Sequence, residues 1–157
     1  MPSRRNNIEM TAAERRAFIE SRKTLTIVSN GVGGFPHPMP MWFHQDDAGA
    51  IHCTTFRKSQ KVLNYQRDAK ATLLVESGVE YAELKGVVIY SHCEIIDQLD
   101  AVVDTLVRIN SRGRTLDEDQ RKALTAAVSQ TASKRVLLKF APERYVSWDH
   151  SKLGGRY

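Results

Sequence analysis

Prolines occupy alternate positions in Pro36-His37-Pro38-Met39-Pro40-Met41-Trp42-Phe43. In an extended segment, residues two apart send their backbone groups to the same side. Proline has no N–H, so one side of this segment cannot donate to a neighbouring strand, which is how a sheet edge is written. The same alternation puts Trp42 on one face with Pro38 and Pro40, and Met39, Met41 and Phe43 on the other. Two readings stand together: an edge guarded against aggregation, or a strand whose open side meets a bound flat molecule.

The rest of the chain supplies further strands. Leu25 to Ser29 is β-rich, and Asn30-Gly31-Val32-Gly33-Gly34 turns the chain. His37 to His44 extends, and Asp46-Asp47-Ala48-Gly49 is expected to turn it back into Ala50 to Thr55 as a hairpin. Ala71 to Glu76 and Tyr81 to Ile96 read as strands, the second bent at Gly86. Arg135 to Phe140 and Arg144 to Trp148 read as two more, parted by Ala141-Pro142. Capping boxes at Thr11-Ala12-Ala13-Glu14 and Thr115-Leu116-Asp117-Glu118 open two helices, the first turning Phe18 and Ile19 inward. Asp97 to Asn110 is amphipathic, with Leu99, Val102, Val103, Leu106 and Ile109 on one stripe. Six or seven short strands joined mostly by turns predict an antiparallel barrel with inserted helices, a mainly β, α+β chain.

At 157 residues the chain reads as one domain, with residues 1–10 as a flexible tail. No apolar run approaches the roughly 20 residues that span a membrane. The basic start lacks an apolar stretch behind it, and Cys53 and Cys93 sit in no C-x-x-C, so the expectation is a cytoplasmic protein with reduced core thiols. A net charge of +5 favours an anionic partner.

Thr54-Thr55-Phe56-Arg57-Lys58-Ser59-Gln60-Lys61-Val62-Leu63-Asn64 is the segment richest in chemistry. A strand empties into hydroxyls, cations and an amide, then turns helical to about Arg67. Hydroxyl and ammonium donors thus converge on a helix start with unpaired N–H groups, which suits phosphate. The competing reading is a solvated basic helix start. Ser59 is placed as N-cap and Lys61 in the first turn, with Asn64 on the face of Lys61.

Other constellations fall away. Gly31-Val32-Gly33-Gly34 is followed by prolines where a dinucleotide loop needs a helix. His52 and Cys53 are adjacent on a strand and point apart, so no metal is expected. No G-x-S-x-G elbow is present. Arg112-Gly113-Arg114 and Arg57-Lys58 permit nucleic acid, but no binding motif accompanies them, and none is expected as partner.

Taken together, Leu25-Thr26-Ile27-Val28, the proline segment, Thr54-Thr55, Ser59 to Asp68, Tyr81 to Gly86, Arg135 to Lys139 and Ser147-Trp148-Asp149 to Gly155 resemble the pyridoxamine 5′-phosphate oxidase-like split β-barrel family, including its deazaflavin-dependent branch. The resemblance implies a six-stranded antiparallel split barrel that forms a homodimer with cofactors at the interface. It implies that Thr54, Thr55, Ser59, Gln60 and Lys61 hold the cofactor phosphate and that the ring lies against Met39, Pro40, Met41 and Trp42. Asn64 would touch the cofactor or support the helix, and Trp148 and Lys152 would complete the partner's pocket. Gln60-Lys61 stands where vitamin B6 oxidases of the family carry Arg-Lys, so that activity is not expected.

The implied function is an oxidoreductase using FMN, the family default, or coenzyme F420, to move a hydride to or from a small unsaturated substrate. Its catalytic residues cannot be named. The alternative is a non-catalytic flavin- or haem-type carrier on the same scaffold.

Overall fold

The computed structural model describes residues 3–155. Of the residues read as a tail, Met1 and Pro2 lie outside that set. Arg4–Ile8 forms a short helix (α1), and Met10 is buried, its N–H donating to Ser147 Oγ at 3.0 Å.

Helix α2 (Ala12–Ser21) begins at the expected Thr11/Glu14 capping box, with Ile19 buried and Phe18 against the core. The strands are β1 (Thr24–Asn30), β2 (Pro36–Trp42), β3 (His44–Gln45), β4 (Ile51–Phe56), β5 (Lys70–Ser77), β6 (Lys85–Ile96) and β7 (Arg135–Asp149). Helix α3 (Gln60–Arg67) follows β4, and α4 (Leu99–Ser111) and α5 (Glu118–Ala132) lie between β6 and β7.

All seven strands form one antiparallel sheet in the order β2-β1-β5-β6-β7-β4-β3. Its two edge strands, β2 and β3, are separated in sequence only by Phe43. A sheet whose opposite edges are joined by one residue must curl until they meet, so this one is a barrel with a slit. The prolines explain why the slit stays open. The register Leu25↔Met41, Ile27↔Met39 and Ser29↔His37 turns the N–H-bearing side of β2 to β1. The donor-free side faces β4, where no ladder can form.

The expected hairpin between His37–His44 and β4 is therefore wrong for most of its length. Only His44 and Gln45 pair with β4; the rest of the segment pairs with β1. The Asp46 turn is as read, closed by Asp46 Oδ1 accepting from Ala50 N at 2.9 Å with Gly49 at φ 88.

Four other details differ. Arg135–Asp149 is one strand, not two, because a bulge after Tyr90 leaves Glu143 unpaired and lets the ladder run past Pro142. The strand read from Tyr81 begins at Lys85, after a 3-10 turn at Tyr81–Glu83, and Gly86 is a place of close approach, where a Cβ would meet the Trp148 ring at 2.1 Å. The second capping box uses Asp117 and Gln120 rather than Thr115 and Glu118. Leu99 stands exposed at the first turn of α4, while Val102 and Leu106 pack against α5 and Leu137.

The barrel interior holds Ile27, Leu73, Ile89, Leu138, Phe43 and Phe140, with Tyr65 of α3 edge-on to Phe140 at 5.6 Å. Cys53 and Cys93 are buried and unbridged, and burial pushes the Cys93 thiol up to about 12. Helices α4 and α5 cover the outer face of β4 and β7. On the other side, outward-facing Val28, Leu74, Val88 and Val146 stay half-exposed. No helix of the described residues is long and apolar enough to cross a membrane.

His44 stacks on its cross-strand partner His52 at 4.7 Å, and His52 Nε2 lies 2.8 Å from Asp46 Oδ2. Burial first, then the nearby His52, push the His44 pKa from 6.5 down to about 4. The unfolded chain therefore takes up this proton first, and stability falls as pH drops through that interval. Denaturant midpoints measured across it should decline, and His44→Asn should flatten the decline. A wild-type midpoint that does not change with pH there would contradict the half-buried, neutral imidazole.

Candidate functional site

The site is built where β4 runs into α3. Alternation along β4 sends Thr55 toward the barrel end and Thr54 to the outer face, so the two threonines do not share one pocket. On the inner side, Lys61 Nζ donates to Thr55 Oγ1 at 3.0 Å, and Thr55 Oγ1 lies 3.3 Å from Ser59 Oγ. Ser59 occupies the N-cap position, yet its hydroxyl caps no amide. The first amides of α3, Gln60 and Lys61, are thus left as donors at the positive end of the helix.

Lys61 is only 8% exposed and has no acidic partner among the described residues. Its pKa is lowered by burial first and by the Arg135 guanidinium second. Arg135 pairs with Phe56 in the β4–β7 ladder, stacks over its ring at 4.4 Å, and reaches Thr54 Oγ1 at 3.4 Å. Its Nε is buried without a partner. Sequence reasoning read Arg135 only as the start of a strand. The signal was a lone cation opening an otherwise apolar run, but its neighbours are some eighty positions away.

On the outer side, Thr54 and Arg135 line a cleft of about 490 Å³ with Pro40, Met41 and Trp42 across the slit, roofed by α4 and α5. That volume lies in the range of small-molecule sites. Met39 and Met41 turn toward the core, whereas Pro40 and Trp42 are exposed on the slit side. No carboxylate and no histidine lines the cleft among the described residues.

The remaining expected residues are placed differently. Asn64 is fully buried; its Nδ2 donates to Ser29 Oγ at 2.9 Å and its Oδ1 accepts from Gln60 Nε2 at 2.9 Å. It supports the helix, so Asn64→Ala should cost about 1–3 kcal/mol by stranding Ser29 and loosening α3. A chemical melt reads this directly, and an unchanged midpoint would refute it. Arg57 is held by a two-point contact to Asp97, at 2.8 and 2.7 Å, and is not free for a ligand. Trp148 packs on Gly86, and Lys152 binds Glu9 O at 2.9 Å and Glu14 Oε2 at 2.7 Å. Both lie at the end of β7 opposite Arg135, far from the cleft within one chain.

A slit barrel with Lys61 and Arg135 at a helix start, no acid beside them among the described residues, and an aromatic cleft alongside defines a class by its fold: split β-barrels. The family model for pyridoxamine 5′-phosphate oxidase matches residues 11–149, and the chain belongs to that family. The conserved hypothetical protein Rv2991 of Mycobacterium tuberculosis is 35% identical and superposes with a TM-score of 0.86 over 98% of this chain and 93% of that one. A structure described as F420 reductase superposes at 0.61 with 16% identity, over 83% and 94% of the two chains. The heme storage protein HutZ of Vibrio cholerae does so at 0.66 with 14% identity, over 89% and 97%. The latter two likenesses show a shared fold. No curated protein matches the chain.

Proposed function

We propose that this protein is an oxidoreductase that binds FMN or coenzyme F420 at the slit of a homodimer. The observation that carries the reading is the pair of a desolvated Lys61 and a half-buried Arg135 whose Nε is buried without a partner, with no acid beside either among the described residues. A fold keeps such a charge pair where an anion neutralises it. Lys61, Ser59, Thr55 and the first amides of α3 would hold the phosphate, and Pro40, Trp42 and Thr54 would bound the ring. When bound, the ring supplies the hydride chemistry on a small unsaturated substrate. The protein's share is to bind, orient and exclude water: α4 and α5 roof the cleft, and the donor-free edge of β2 lets a flat group approach without displacing a ladder.

A haem carrier is the weaker reading, because the cleft offers no histidine as axial ligand. Lys58, exposed and without an acidic partner among the described residues, is the cation left for the acidic tail of F420. Dimerisation would cover Val28, Leu74, Val88 and Val146, and Trp148 on that same outward face would then approach the partner. The visible spectrum and extracted-cofactor mass of protein from its native host test the reading: a flavin or deazaflavin supports it, whereas bound haem or no chromophore opposes it.

A further inference from the structure

The basic turn Arg112-Gly113-Arg114 between α4 and α5 is used by neither the slit nor the outward sheet face. It closes a second depression of about 640 Å³, with Trp42 on the wall shared with the cleft and Lys23 contributing to the rim. The two arginines divide the work. Arg112 is committed to the fold: it donates to Phe43 O and Ile19 O at 2.9 Å and to Glu20 O at 2.7 Å, and stacks on Phe43 at 4.3 Å. Arg114 is exposed, and among the described residues its guanidinium donates only to Asn110 O, at 2.7 Å. Lys23 is exposed, with no acidic partner among the described residues. Gly113, at φ 75, supplies the left-handed residue that the tight turn between the arginines needs.

No carboxylate lines this depression among the described residues. Trp42 is 61% exposed, unusual for so large an apolar ring, and it stands where a ligand in the depression would also touch the cleft. An indole face takes a flat π-system, and two cations beside it with no acidic partner among the described residues take a negative charge.

We infer that this depression is the substrate site of the proposed reaction, and that the substrate is a planar, unsaturated organic anion seated on Trp42 with its charge on Lys23 and Arg114. Its role as a substrate site rests on the flavin reading; its preference for anions does not. The test uses trans-cinnamate and its neutral isostere trans-cinnamamide, titrated by calorimetry into ligand-free and cofactor-loaded protein. Cinnamate should bind at least about ten-fold tighter than the amide. The double variant Lys23→Ala/Arg114→Ala, both positions being exposed, should lose that selectivity while keeping its cofactor affinity. Equal binding of acid and amide, no cinnamate binding at millimolar concentration, or a double variant that behaves as wild type would overturn the inference. Cofactor binding without acid selectivity overturns the pocket alone. Acid-selective binding in a protein that takes neither cofactor overturns the flavin reading and, with it, the substrate role.

Discussion

Lys61→Ala lowers affinity for a phosphate-bearing flavin roughly ten-fold to a hundred-fold or more and leaves the ligand-free fold at least as stable as wild type. The first half follows from losing a charge-assisted contact, worth about 1.5–3 kcal/mol. The second follows from the ligand-free structure. The ammonium is desolvated, faces Arg135, and has only the Thr55 hydroxyl for company. Its folded pKa lies below the unfolded value, so the unfolded chain holds this proton more tightly. Stability is therefore reduced while Lys61 is charged in both states. It recovers as pH rises from the folded pKa toward the ordinary lysine value. Lys61→Met, which keeps the stem, should also be neutral or stabilising without ligand. Paired thermal melts and cofactor titrations read both halves. A variant that melts well below wild type would make Lys61 a structural residue. Unchanged affinity would make it part of a solvated helix face.

Gly86→Ala is the second large effect. The new methyl would lie 2.1, 2.5 and 2.6 Å from Cζ2, Cη2 and Cε2 of Trp148, so the indole must leave its place across the ladder. Overpacking of this kind costs roughly 1–3 kcal/mol, and more where backbone must follow. Gly86 and Trp148 are paired residues of β6 and β7, and the indole stands on the outward face proposed for dimerisation. The variant should thus melt lower, shift Trp148 emission and self-associate less. In a Trp148→Ala background the same substitution should cost only a few tenths of a kcal/mol, a coupling that a double-mutant cycle isolates. Additive costs would show that Trp148 does not sit over Gly86.

The contrast between these two residues shows what the chain discloses about itself. The alternate prolines were readable because a missing N–H has one consequence in a sheet, and they placed β2 at an edge. The partner of that edge was not readable: β3 has two residues, and the break at Phe43 carries no turn signal. Pro142 looked like a strand end because the bulge that absorbs it depends on Tyr90 and Ser91, some fifty positions earlier. The indole lying on Gly86 was not readable, because only the β6–β7 register brings Trp148 to it. In the site, Ser59, Lys61 and the start of α3 were legible from local chemistry. Arg135 was not, since only the β4–β7 register brings it to Phe56 and Thr54. The opposite facing of Thr54 and Thr55 follows from strand alternation, and it separates the Lys61 side from the cleft side within one dipeptide.

Calorimetric titration of ligand-free protein with FMN and with F420, run in parallel on wild type and Lys61→Ala, tests the central claim most directly. The account predicts that at least one cofactor binds the wild type well below the high-micromolar range, and that Lys61→Ala weakens that binding roughly ten-fold or more. Binding of neither cofactor, or equal binding to wild type and variant, would contradict the assignment of the Lys61–Arg135 cradle to a flavin phosphate.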